Sequence, residues 1–487
     1  MIPASSWETV IGLEIHAELN TRSKLFSEAP NHFGDEPNTN INDVCTGQPG
    51  SLPVLNKEAV KKAVQLGCAL NAEVATFSKF DRKSYFYPDS PRNFQITQYD
   101  QPIIKGGVVV AEVDSKEMHF AVNRVHLEDD AGMLKHFSNF AGVDYNRAGV
   151  PLVEIVSEPC IHSPKEAVAY AMAVKAILQY IDASDCNMEE GSLRIDANIS
   201  VRKQGEKTLR NKIEIKNMNS FSNMEMALEA EIKRQIKEYT KQEGRPHHEI
   251  ITQATYRWDP ERKETVLMRR KEHADDYRYF PEPDLVPIVL THAYIEEIRK
   301  ALPELPLERE RRYINQLKLA PDSAFVLVSD KLLADYFENC LKHCNNPRTL
   351  CNWIISEFAG RFKDTGKSLL TSGIPAEHVA KLVAMIESGK ITGRIAKQVA
   401  DVMVEKPGLD PDEIVASNAD FQPVHDQGEI EILVDKVLAE NGQSILDYKA
   451  GRDKAFAFLV GQVMKMSRGK ASPQVVNDLL KQKIARI

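Results

Sequence analysis

The chain has 487 residues, too many for one core, so two to four domains are expected. Hydrophobic residues make up 43% and charged residues 27%, a balance that excludes a disordered or low-complexity protein, and no run of 18 apolar residues offers a membrane span. The net charge of −8 does not announce a nucleic-acid binder, yet from Gln443 to Ile487 nine Lys/Arg stand against three Asp/Glu, a basic appendage on an acidic body.

The start, Met1 to Ser6, lacks the basic and apolar regions of a signal peptide. Seven scattered cysteines, at 45, 68, 160, 186, 340, 344 and 351, are an odd number in a chain that needs no staples. Reduced thiols in a cytoplasmic protein are the expectation.

Leu13, Ile15, Ala17 and Leu19 alternate with Glu14, His16 and Glu18, the period of a half-buried strand. Residues two apart on a strand share a face, so Glu14, His16 and Glu18 can converge on one site. Two carboxylates and an imidazole suit Mg²⁺ or Mn²⁺, although a solvated strand face has the same pattern. A helix follows over 56–70. Next, Lys79-Phe80-Asp81-Arg82-Lys83-Ser84-Tyr85-Phe86-Tyr87-Pro88-Asp89 interleaves cations with aromatics. That mixture suits an unpaired nucleic-acid end, or a strand and turn whose aromatics are core.

Residues 107–113 and 118–127 read as two strands around a turn at Asp114-Ser115-Lys116. The second leads into Glu128-Asp129-Asp130. Glu154 sits inside the apolar run Val150 to Val156, where a carboxylate needs a metal or a partner such as Arg147 or Arg194. Ser163-Pro164-Lys165-Glu166 opens a helix over 164–181 with a capping box. Leu193, Ile195, Ala197, Ile199 and Val201 form an apolar strand face, with Arg194, Asp196, Asn198, Ser200 and Arg202 opposite. Pairing of this strand with 211–219 around Gln204-Gly205-Glu206 would bring Lys216 near Asp196, as a phosphate-binding cation or a plain salt bridge. A third helix is expected over 222–243.

From about residue 290 the period is helical and punctuated by Pro303, Pro306, Pro321, Pro347 and Pro375. Pro407-Gly408-Leu409-Asp410-Pro411 reads as a linker before a last helical unit. Cys340, Cys344 and Cys351 lie at core-stripe spacing, so they read as buried side chains rather than zinc ligands. Gly366-Lys367-Ser368 resembles the end of a P-loop, but Arg361 stands where the pattern needs Gly and no strand precedes it. No G-x-G-x-x-G is present, so any nucleotide site is borne on the sheet.

Several segments together resemble one family. They are Val10 to His16, Lys79 to Asp89, Gly149 to Pro159, Met188 to Asn198, Asp275 to Asp284 and Phe458 to Lys465. In order, and over nearly the whole chain, they are similar to the B subunit of the glutamine-dependent aspartyl/glutamyl-tRNA amidotransferases. The resemblance implies an α+β fold: an antiparallel-sheet cradle domain over 1–292, an all-α helical domain over 293–408 and a small all-α YqeY-like tail over 411–487.

It also implies a task, ATP-dependent phosphorylation of the side-chain carboxylate of Glu-tRNA(Gln) or Asp-tRNA(Asn). Ammonia from an amidase (A) subunit then displaces phosphate, in a heterotrimer with a small C subunit. By carry-over, Glu14, His16, Glu128 and Glu154 are candidate ligands of Mg²⁺, with Asp196 and Lys216 beside them as catalytic candidates. Arg194, Asn198, Lys83 and Tyr87 are candidates for ATP, and the basic tail for the tRNA body.

Three departures matter. Asp129 stands where many members have Glu, which ranks it below Glu128. A lone Cys45 replaces the paired cysteines of zinc-bearing members, so no zinc is expected. Met133 replaces a frequent Lys. Two competing readings are a non-catalytic tRNA-binding scaffold and a free-standing carboxylate–amine ligase acting on a metabolite.

Overall fold

The computed structural model describes residues 6–270, 274–421, 427–467, 471 and 473–486. The chain divides into two units, Met1–Glu308 and Arg309–Ile487. The first five residues, and Arg468, Gly469 and Lys470 of the basic tail, lie outside the described residues.

The first unit is built on a ten-stranded sheet. Its long strands are β1 (Trp7–Glu18), β4 (Val108–Val113), β5 (Lys116–Asp129), β6 (Pro151–Ser157), β7 (Leu193–Lys203), β8 (Ile213–Lys216), β9 (Ala254–Asp259) and β10 (Glu264–Arg270). Two shorter strands outside this sheet, β2 (Asp81–Ser84) and β3 (Phe94–Thr97), pair with each other. The order is β10-β9-β8-β7-β1-β6-β5, continued by Ile104–Lys105 and Glu73–Val74, with β4 paired to β5. Every pairing is antiparallel except β8 with β9.

Pleating sorts the side chains. Leu13, Ile15 and Ala17 of β1, and Leu193, Ile195, Ala197 and Ile199 of β7, are buried together in the core. The helices Lys57–Ala69, Pro164–Tyr180 and Phe221–Lys241 contribute to that core, Leu66, Tyr170 and Leu228 among them. The opposite face of the same strands is left to polar side chains. Local chemistry starts each helix where the sequence suggests. Asn56, Ser163 and Ser220 each accept a backbone N–H of the first turn. The β4–β5 hairpin turns at Asp114 and Ser115, whose φ values of 48° and 61° belong to a tight turn matched to strand twist.

The helical domain differs from expectation at both ends. Ile295 and Ile298, on the helix His292–Lys300, pack in the first core, so that helix closes the cradle instead of opening the next domain at 293. Ile414, Val415 and Phe421 pack with Tyr313, Phe337 and Phe358 in a second core. The Pro407–Pro411 segment is therefore a turn within that core, not the start of the tail. A third core runs from Ile430 to Ile484. Cys340, Cys344 and Cys351 are buried in the second core. Gly366 turns at φ +69° and Ser368 bonds Thr371, a helix-to-helix loop. Among the described residues, no helix is long and apolar enough to cross a membrane.

Candidate functional site

Register places the chemistry. β1 lies between β6 and β7, so His16 stands opposite Glu154 on one side and Arg194 on the other, and Glu14 stands opposite Asp196. On β6, Glu154 stands opposite His126 of β5. On β8, Glu214 stands opposite Asn198. Five adjacent strands thus carry a continuous polar stripe on the face away from the core. It floors a cavity of about 790 Å³, within the usual range of ligand sites.

The stripe resolves into two clusters. His16, Glu128 and Glu154 bring ligand atoms within 4.8 Å of one another, as do Glu14, Asp196 and Glu214. In the first, Glu154 lies 3.4 Å from His16 Nε2 and 3.2 Å from His126 Nε2. Glu128 lies 3.8 Å from each ring and accepts from Thr97 Oγ1 at 3.2 Å. Burial disfavours charge on both rings, yet the Glu154 and Glu128 carboxylates outweigh it. His16 is raised and His126 is pushed up to about 9. Glu154 is held well below the usual carboxylate range, against its burial, by His126 and His16.

In the second cluster, Asn198 Nδ2 donates to Glu14 Oε1 at 2.8 Å and Thr255 Oγ1 to Glu214 Oε2 at 2.8 Å. Lys216 pairs with Asp196 and lies 3.5 Å from Glu214. The pairing of β7 with β8 meets the expectation for Lys216 and Asp196. Burial opposes the Lys216 ammonium, but Asp196 and Glu214 raise it.

The site fits a divalent cation by its charge balance. The buried Glu128 and the partly buried Glu154 lie within a few ångströms of two imidazoles whose charged forms they favour and which offset their charge. A cation would take over that role and leave the rings neutral, as metal ligation requires. Seven carboxylates and five Lys/Arg line the cavity, so acids for a metal and cations for phosphates are both at hand. Several buried atoms also lack protein partners, among them His126 Nδ1, Arg194 Nε and Asn198 Oδ1.

The expected residues separate into three groups. Glu14, His16, Glu128, Glu154, Asp196, Lys216, Arg194 and Lys83 all line the cavity. Burial works against Lys83, but Glu128, Tyr279 and Glu154 raise it. Asn198 sits behind Glu14 and orients it. Tyr87 is not at the cavity. It is 47% exposed, because the chain leaves β2 at Ser84, and Tyr85 takes the lining position.

Two corrections follow from register. Glu14, His16 and Glu18 do not meet at one point. Burial and the neighbouring Asp130 carboxylate push Glu18 up to about 8, in a separate group with Arg194 and Arg147. Glu154 pairs with histidines and not with those arginines. Arg194 instead donates to Asp130 at 2.6 Å, and Arg147 lies 3.4 Å from it.

Asp129 points to the other face. It pairs with Arg92 and accepts from the Ile96 N–H at 2.7 Å, away from the carboxylate clusters. Two cavity residues, His126 and Glu214, were not expected from the sequence. Both carry the signal used for β1, since His126 is two residues before Glu128 and Glu214 two before Lys216.

Residues 9–296 match the family model described as the GatB/GatE catalytic domain, and residues 335–484 the one described as the GatB domain. The chain is 73% identical over 483 residues to the B subunit of the aspartyl/glutamyl-tRNA(Asn/Gln) amidotransferase of Protochlamydia amoebophila, covering 99% of this chain and 98% of that one. It is 58% identical over 476 residues to the protein of the same name from Chlamydia pneumoniae, with 98% of each covered. The Chlamydia muridarum protein of that name is 59% identical over 479 residues, again with 98% of each covered.

Proposed function

Because the chain belongs to the family of aspartyl/glutamyl-tRNA(Asn/Gln) amidotransferase B subunits, we propose that it activates the side-chain carboxylate of Glu-tRNA(Gln) or Asp-tRNA(Asn) with ATP and delivers it to ammonia. One observation carries the reading. Two carboxylate clusters and several lysines and arginines converge on one cavity across five strands.

A carboxylate cannot expel oxide to an amine. Transfer of the γ-phosphoryl group of ATP to a carboxylate oxygen makes an acyl phosphate and releases ADP. Ammonia then forms the C–N bond, phosphate leaves with the C–O bonding pair, and the surplus ammonium proton passes to a base. Phosphoryl transfer depends on positioning and on charge neutralisation.

In this scheme His16, Glu128 and Glu154 would hold one Mg²⁺ or Mn²⁺, and Glu14, Asp196 and Glu214 would offer a second seat. A bound metal would polarise phosphate oxygens and offset their charge. Lys216, Arg194 and Lys83 draw the phosphate oxygens onto the sheet. Asp196 fixes the ammonium of Lys216, and Asp130 fixes the guanidinium of Arg194. Asn198 holds Glu14 in its rotamer, and His126 sets the position of Glu154.

The remaining parts are assigned to partners. The chain has no amidase signature, so ammonia comes from an amidase (A) subunit, with a small C subunit completing a heterotrimer. The basic C-terminal helices take the tRNA body through phosphate contacts, which weaken with salt. The site of action is the cytoplasm, where mischarged tRNA is found. Zinc has no part in the scheme.

The test uses the reconstituted complex with mischarged tRNA. Glu154→Ala should abolish tRNA-dependent ATP cleavage while tRNA binding by filter retention is kept. Full ATP cleavage by the variant would sink the site and favour a non-catalytic scaffold. ATP cleavage by the unmodified complex that ignores mischarged tRNA would favour a ligase for a free metabolite.

A further inference from the structure

A small hairpin, Met133–His136 paired with Ala141–Asp144, forms a sheet of its own beside the cavity. Its turn closes on Phe137, whose N–H donates to the Phe140 carbonyl at 2.9 Å. The two rings stack on each other at 4.5 Å between centroids and 19° between planes. Phe137 is 53% exposed and Phe140 61%. Gly142 lies beneath the stack, and a Cβ there would stand 3.4 Å from the Phe137 ring. The pair therefore packs on backbone and on itself and adds nothing to the core.

The roots of the hairpin are fixed to the cavity wall. Gly132 donates its N–H to Asp89 O at 2.7 Å, and a Cβ at Gly132 would fall 2.9 Å from Asp144 O. Tyr145 OH donates to Pro88 O at 2.9 Å, and Arg147 Nε to Ala131 O at 3.0 Å. Asp89, Ala131 and Arg147 all line the cavity. Five residues of strand and turn, about 16 Å at strand rise, separate Gly132 from the tip. From Met133 to Val143 the hairpin carries Lys135 and His136, both exposed, and no acid.

We propose that the Phe137–Phe140 stack is a platform for an unpaired nucleobase at the acceptor end of the tRNA substrate. This rests on the function proposed above, in which the cavity takes the aminoacyl group. An aminoacyl group in the cavity obliges the single-stranded end that carries it to cross the cavity rim. That end is anionic and bears free π-faces, and the hairpin rooted in the cavity wall offers an exposed ring pair and the exposed Lys135. Stacking on aromatics is tolerant of base identity, so the platform would hold the end without reading it. A protein partner would equally meet exposed rings, but the hairpin tip carries Lys135 and His136, and its one acid, Asp144, lies at the root and accepts from the Asn38 and Asn146 N–H groups, which favours the polyanion.

The experiment compares the reconstituted complex with a double variant, Phe137→Ala and Phe140→Ala, and with the Tyr double variant. The Ala pair should raise KM for mischarged tRNA roughly ten- to hundredfold in ATP cleavage with kcat unchanged. The Tyr pair should restore KM. A 2-aminopurine placed in the acceptor end should lose fluorescence on binding the unmodified complex and keep it with the Ala pair. An unchanged KM and an unchanged quench would overturn the platform. Loss of heterotrimer assembly in the Ala pair, seen by light scattering, would overturn it in favour of a protein contact. ATP cleavage by the unmodified complex without mischarged tRNA would remove the substrate reading and the platform with it.

Discussion

The two units each gather a cluster of charges, and the clusters differ in how completely they are satisfied. In the second unit, Glu338 accepts from Arg309 Nε at 2.9 Å, from Tyr313 OH at 2.9 Å and from Arg312, while Arg309 also meets Asp335 at 2.7 Å. In the first unit, His16, His126, Glu128 and Glu154 crowd together around a cavity, with His126 Nδ1 left without a partner. A closed cluster stabilises the fold. An open one lowers stability and is kept for what it holds, because buried polar atoms without partners cost about 1–3 kcal/mol each.

The sharpest way to break this contrast is to neutralise one member of the open cluster. Glu128→Gln keeps the shape and the acceptor for Thr97 but removes a charge from the cation seat. The expected result is a fall of about 10³-fold in tRNA-dependent ATP cleavage. The unfolding midpoint should fall by only about 2–4 °C, because burial and the Glu154 charge offset much of what His126 and Lys83 give the carboxylate. Activity within tenfold of the unmodified complex, or a large loss of stability, would place Glu128 with the structural charges.

This contrast also shows what the sequence could reveal. Period-2 alternation marked β1 and β7 correctly, so the faces of Leu13, Glu14, Leu193 and Asp196 were legible, as was the pairing that joins Lys216 to Asp196. Which acids meet is set by interstrand register, a non-local property. Glu14, His16 and Glu18 share a face yet serve three different groups, because each faces different residues on β6 and β7. Glu214 and His126 carry the same period-2 signal, but which residues they meet is set by the places of β8 and β5 in the sheet. Domain limits failed for a related reason. The change to helical period near 290 looks like one boundary, and Pro407–Pro411 looks like a linker at the next. Whether Ile298 or Ile414 belongs to one core or the next depends on packing that no local pattern encodes.

The converse test removes a member of the closed cluster. Glu338→Ala leaves Arg309, whose side chain is only 7% exposed, with Asp335 alone of its two carboxylates. Breaking a fully buried pair from one side costs about 3–5 kcal/mol, and the 33% exposure of Glu338 reduces that to about 2 kcal/mol. The loss should appear in the denaturation of the second unit, with ATP cleavage at 25 °C unchanged. Lost catalysis in a fully folded variant would mean that this cluster, too, is functional.

The smallest effect lies in the pH dependence of that stability difference. Burial acts to raise the Glu338 carboxyl, but bonds from Arg309, Arg312 and Tyr313 hold it below its ordinary value. A carboxyl with a lowered folded pKa stabilises the native state in full above its unfolded value, near 4.3. That contribution is lost as pH falls through the folded value. The gap in stability between the native chain and Glu338→Ala should therefore be constant from pH 8 to about 6 and shrink progressively below about 5, read as urea midpoints at each pH. A gap that widens on acidification would mean that Glu338 is held protonated in the fold, and the closed cluster would then have to be redrawn around a neutral acid.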